Sequence, residues 1–68
     1  MDFATKIQVR RLYYLLHKRR LDVYTVDTAI KNICTYFKIL TIGDISDKQI
    51  IEAYKLVDKI DEFGEIIM

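Results

Sequence analysis

No proline interrupts this 68-residue chain, and glycine occurs only at Gly43 and Gly64. Loop-rich and all-β folds need turn residues throughout. This chain has almost none, so its connections must be few and its elements long, which points to helices. The 51% of hydrophobic residues and 31% of charged residues describe a globular chain, because a disordered one would be poor in apolar residues.

Size sets the next constraint. A chain this short makes one domain, residues 1–68, and buries only roughly 60% of the surface it exposes unfolded. Such a domain rarely draws more than ~3–5 kcal/mol from its core. The single cysteine, Cys34, excludes an internal disulfide and a Cys-based zinc site. Either the helix packing is very good, or a partner completes the core. A second copy is the simplest such partner.

Three amphipathic patterns predict an all-α, small three-helix bundle with helices over about 3–20, 26–38 and 47–63. In the first, Ala4, Val9, Leu12, Leu15 and Leu16 fall on one stripe, interrupted by Gln8 and Arg19. A break is expected over Leu21–Tyr24, with Thr25 as N-cap of the second helix. Val26, Ala29, Ile30, Ile33, Cys34 and Phe37 then recur at i, i+3, i+4, i+7, i+8 and i+11, the cleanest helical spacing in the chain. The segment from Lys38 to Ile42 reads as the fraying end of that helix and a loop over the core. Ser46 and Gln49 form a capping box, and Ile45 and Ile50 occupy the hydrophobic-staple positions, so the third helix should start at Asp47. Its apolar face comprises Ile50, Ala53, Tyr54, Leu56, Val57, Ile60 and Phe63, and Gly64 suits the position just past its end.

Charge is unevenly placed. The formal net charge is +1, yet residues 1–20 carry +5 and residues 21–68 carry −4. In an up-down-up bundle the C-termini of the first and third helices share one end. Lys18, Arg19 and Arg20 would then lie near Asp58, Asp61, Glu62 and Glu65. These acids sit at the unfavourable end of their own helix dipole. The asymmetry therefore reads mainly as matching within the molecule.

Little in the sequence resembles catalytic machinery. No Gly-rich phosphate loop, G-x-S-x-G or C-x-x-C occurs. His17 is the only histidine, so no His-based metal motif exists. Cys34 falls on the buried stripe and reads as a core thiol, while His17 points away from it. Asp58, Asp61, Glu62 and Glu65 follow i, i+3, i+4, i+7 spacing, which reads first as a solvated face and second as a carboxylate stripe for a cation or basic partner. No enzyme activity, cofactor, metal or small-molecule substrate is expected. No run of ~18 apolar residues is present, so no membrane span is expected. The absence of an apolar leader with a small-residue cleavage site points to the cytoplasm.

The most informative surface is the outer face of the first helix. Lys6, Arg10, Arg11, His17 and Lys18 interleave there with Phe3, Ile7, Tyr13 and Tyr14. A solvated face does not ordinarily carry so many large apolar groups. Arg and Tyr are enriched at the energetic centres of protein interfaces. The same pair also suits phosphate contact with base stacking. The leading expectation is a small, non-catalytic, regulatory protein-interaction domain. Its partner would be a second copy, giving a homodimer, or a heterologous protein with an acidic rim. The alternative is a small nucleic-acid-binding regulator using the first helix or a helix-turn-helix-like pair. The connector between helices two and three, roughly seven residues against the usual 3–4, speaks against the latter geometry.

Ile45 to Tyr54 (ISDKQIIEAY) resembles the helix start of the Sda family of small sporulation-kinase inhibitors, which are α-helical hairpins. The resemblance spans these ten residues. Beyond Tyr54 the chain departs from that pattern, and the N-terminal helix has no counterpart. It implies a class of protein and no particular residue's role: very small helical proteins that act by binding another protein.

Overall fold

The computed structural model describes residues 3–19 and 21–67, and for Phe3 and Ala4 the backbone alone. Three α-helices form it: α1 (Phe3–Lys18), α2 (Val23–Phe37) and α3 (Asp47–Leu56). Short 3-10 turns cover Ile42–Asp44 and Val57–Lys59. This is the expected small three-helix bundle.

The core follows the three apolar stripes. Val9, Leu12 and Leu16 of α1 meet Val26, Ala29, Ile30, Ile33 and Cys34 of α2 and Ile50 and Ala53 of α3. Leu12, Leu16, Ile33 and Ile50 are fully buried. Tyr54 clamps α3 to α1, its hydroxyl donating to the Gln8 carbonyl oxygen at 2.9 Å. Near the ends of the same two helices, the Arg19 guanidinium donates to the Val57 carbonyl oxygen. α2 runs the other way. Tyr36, near its C-terminus, donates to Glu52 of α3 at 3.2 Å. The chain beyond α3 returns to Thr25 and Ala29, near the start of α2. The topology is up-down-up.

The predicted start of α3 is observed. Ser46 Oγ accepts from Gln49 N at 3.2 Å, and Ser46 N donates to Gln49 Oε1 at 2.9 Å. Ile45 and Ile50 are both buried beneath this cap, which fixes the angle at which the chain enters the helix.

The start of α2 corrects the sequence reading. Its N-cap is Asp22, in extended conformation, with Oδ1 accepting from Thr25 N at 2.7 Å. Thr25 is already inside the helix, and the expected break at Val23 and Tyr24 is its first turn. Those two side chains are 75% and 83% exposed, so they leave no apolar period to read. The Thr25 N–H holds the Asp22 carboxyl below its ordinary value near 3.8. A lowered carboxyl stabilises the fold above its unfolded pKa, and the contribution is lost as pH falls through the folded one. Asn caps equally well without a charge. Asp22→Asn should therefore lose little by comparison with wild type at low pH and more at neutral pH. Urea titrations at pH 2.5 and pH 7 check this, and a difference independent of pH would contradict the role of the charge.

α2 ends in a Schellman motif. Lys38 is left-handed, with φ 58°, and donates to Thr35 O at 3.1 Å, while Ile39 donates to Cys34 O at 3.0 Å. Ile39 and Ile42 pack on the core as half-buried residues, so the loop does cover it, but Leu40 is 94% exposed.

α3 stops at Leu56, not at residue 63. A longer helix would place Asp58, Asp61 and Glu62 against the negative end of its dipole. The chain turns instead. Ile60 is extended and forms a single antiparallel bridge with Ile66, which buries Ile60 and half-buries Ile66 on the core. Asp61 Oδ1 accepts from Phe63 N at 2.9 Å and from Glu65 N at 2.8 Å. Gly64, with φ 85°, is not a helix terminator but the point where this turn touches α2. Phe63, expected in the core, is 70% exposed.

Candidate interaction surface

α1 turns Val9, Leu12 and Leu16 inward, so its remaining faces meet neighbours or solvent. The helix holds no acidic residue. Lys6, Arg10, Arg11, His17 and Lys18 are all exposed, with Ile7 at 50% and Tyr14 at 61%. Tyr13 is half-buried against the core. The Phe3 side chain, Arg20 and the Ala4 methyl lie outside the described residues.

The predicted face is divided by its neighbours. Arg11 lies toward α3, where its charge partly offsets the upward pull of burial on the Tyr54 hydroxyl. Tyr13 and His17 lie toward α2. Together with Val23, Tyr24, Val26 and Asp27 they line a groove of ≈ 470 Å³, a volume within the ordinary range of binding clefts. Buried Val26 forms its floor. Burial, then Asp27, then Cys34 push the Tyr13 hydroxyl up, so Tyr13 stays a neutral phenol. Val23 and Tyr24 belong to this surface although the sequence reading assigned them to a linker. Recognising Asp22 as the cap was the one signal that could have placed them.

The expected charge matching inside the molecule is not formed through ion pairs. Among the described residues the one ion pair is Lys31 with Asp27, at 3.4 Å, and both are exposed. Arg19 meets a backbone carbonyl rather than a carboxylate. Lys6, Arg10, Arg11 and Lys18 therefore remain unpaired cations on the surface of α1. The acidic stripe dissolves as well, because Asp61 to Glu65 leave the helix and Asp61 becomes a turn residue.

Nothing in the sequence or structure of this chain matches a protein-family model, a curated protein or a solved structure. What the surface can do follows from its own chemistry.

Cys34 is buried in the core, where burial and then the Asp44 carboxylate push its thiol up. A thiol held in its protonated form is a poor nucleophile. Among the described residues, no group of three or more His, Cys, Asp or Glu could hold a metal ion. No helix among them is long and apolar enough to cross a membrane.

Proposed function

We propose that this chain is a small, non-catalytic interaction domain that binds a protein partner and acts in a regulatory role. The binding surface is the outer face of α1 with the first turn of α2. One observation carries the reading: Val23 and Tyr24, 75% and 83% exposed, line a groove with Tyr13 and His17, and α1 exposes two further large apolar groups, Ile7 and Tyr14. Large apolar groups exposed at and near a concave site are typical of interfaces. Unpaired Arg10 and Lys18 flank them and favour a partner with acidic groups at its rim. Electrostatic complementarity of that kind steers encounter and selects partners. We place this activity in the cytoplasm.

A second reading, nucleic-acid binding, is favoured by the cations of α1 alone. The overall charge of +1 gives it little long-range attraction to a polyanion.

A photo-crosslinking amino acid placed at Tyr14 in the native host tests both readings. The same group at Lys48, exposed at the start of α3, serves as control. The expected result is protein adducts from position 14 and few from position 48. Nucleic-acid adducts would promote the second reading. Equal labelling from both positions would remove the first.

A further inference from the structure

The turn after α3 is built to hold an aromatic ring in water. Asp61 N donates to Glu65 O at 2.9 Å, Gly64 N donates to Asp61 O at 3.1 Å, and the Asp61 carboxylate accepts two further N–H groups. Asn32 Nδ2 donates to Gly64 O at 2.9 Å, tying the turn to α2. Ile67 N closes the far side on Lys59 O at 2.7 Å. This network presents Phe63 at 70% exposure. Asp58, Glu62 and Glu65, all exposed, surround the ring in sequence. The result is an apolar knob held by hydrogen bonds, on a segment whose exposed charges, Asp58, Lys59, Glu62 and Glu65, are mostly acidic.

The α1–α2 groove has the opposite character. Its lining is Tyr13, His17, Val23, Tyr24 and Asp27 over Val26; Asp27 is paired with Lys31, and the charged residues of α1 are all basic. Its ≈ 470 Å³ is ample for a phenyl ring. The knob and the groove lie at the same end of the bundle. Arg19 on Val57 joins the C-terminal ends of α1 and α3, and Gly64 lies against Thr25 at the start of α2.

We propose that the occupant of the groove is a second copy of this chain, whose Phe63 enters between Tyr13 and Tyr24 while Glu62 and its neighbours meet Arg10 and Lys18. This rests on the interaction surface proposed above and names its partner. Charge favours self over a foreign partner. The +5 and −4 of the two parts of the chain are not joined by ion pairs within the described monomer, and contact between copies joins them. Area also permits it. A standard interface takes about 800 Å² from each partner, roughly one sixth of the 4966 Å² surface. A turn already ordered by hydrogen bonds gives up little further freedom on binding. A reciprocal exchange closes a two-fold dimer, and a one-way contact runs head to tail. Both use the same knob and groove.

Sedimentation equilibrium over micromolar to millimolar concentrations tests the proposal. Wild type should self-associate. Phe63→Ala and Tyr24→Glu should each weaken association on the order of ten-fold or more, as removal of an interface anchor does. Both sites are exposed, so circular dichroism should show both variants folded. The decisive arm is a mixture. Phe63→Ala still carries an intact groove and Tyr24→Glu an intact knob, so the two together should associate better than either alone. A strictly monomeric wild type would overturn the proposal, as would association insensitive to Phe63 or a mixture no better than its components. In each case, protein adducts from position 14 in the host would leave the broader reading standing with a different partner. Loss of those adducts would remove that reading by itself.

Discussion

Leu12→Ala is expected to bring the domain to the edge of unfolding, while Tyr14→Ala on the same helix leaves it folded. Leu12 is fully buried where α1 meets the other two helices. Truncating such a residue costs about 2–5 kcal/mol through lost transfer energy and the cavity left behind. The whole core of a domain this small supplies only ~3–5 kcal/mol, so the loss is comparable to the total. Tyr14 is 61% exposed, and surface substitutions of this kind stay within about ±0.5 kcal/mol. Urea unfolding followed by circular dichroism separates the two. A cooperative wild-type transition should move little in Tyr14→Ala and nearly vanish in Leu12→Ala. If Leu12→Ala unfolded at the wild-type midpoint, the packing described for α1 would be wrong.

Gly64→Ala should release the chain from residue 61 onward while the three helices persist. The residue has φ 85°, a region that costs a non-glycine residue roughly 1–2 kcal/mol. Space is a separate obstacle. An added Cβ would stand 2.8 Å from Thr25 O, 3.0 Å from Ala29 N and 3.2 Å from Thr28 Cβ. The first two are backbone atoms of α2 and cannot swing aside, so overpacking adds about 1–3 kcal/mol. Amide exchange should show lost protection at Gly64 and Ile67, which donate to Asp61 and Lys59, with little change at Ile33. Gly64→Asn sharpens the argument, since Asn tolerates left-handed backbone but still carries the clashing Cβ. If Asn rescued the tail fully, the close approach to α2 would not be the cause. Self-association should weaken in both variants, because the turn that presents Phe63 is anchored at this point.

The helices were legible because burial imposes a period. Val26 through Phe37 and Ile50 through Val57 repeat with the spacing of one helical face, and Ser46 with Gln49 states where α3 begins. Val23 and Tyr24 were misread for the reverse reason. They are helical but exposed, and an exposed residue has no pattern to obey. The end of α3 failed differently. Asp58, Asp61, Glu62 and Phe63 continue helical spacing, yet the helix stops at Leu56, and the turn that follows is seated by a contact distant in sequence, Gly64 on Thr25 and Ala29. Of the candidate surface, Ile7, Arg10 and Tyr14 could be assigned from α1 alone. The groove could not, because it exists only once α2 is docked beside Tyr13 and His17.

The core thiol gives this fold a built-in clock. Cys34 accepts the closing hydrogen bond of α2 through its carbonyl oxygen, and the residue is 7% exposed, on the lining of a pocket between α2 and the loop over residues 39–42. In the closed state it is largely covered and burial favours its protonated form, so an alkylating reagent should react slowly until α2 or the loop over it lifts. The rate of labelling in native buffer therefore follows the opening equilibrium when reclosing is faster than alkylation, and the opening rate when it is slower. Because the chain has no other cysteine, all labelling reports on this one site. Each change to the bundle, or to whatever covers its surface, can be read as a change in that single rate.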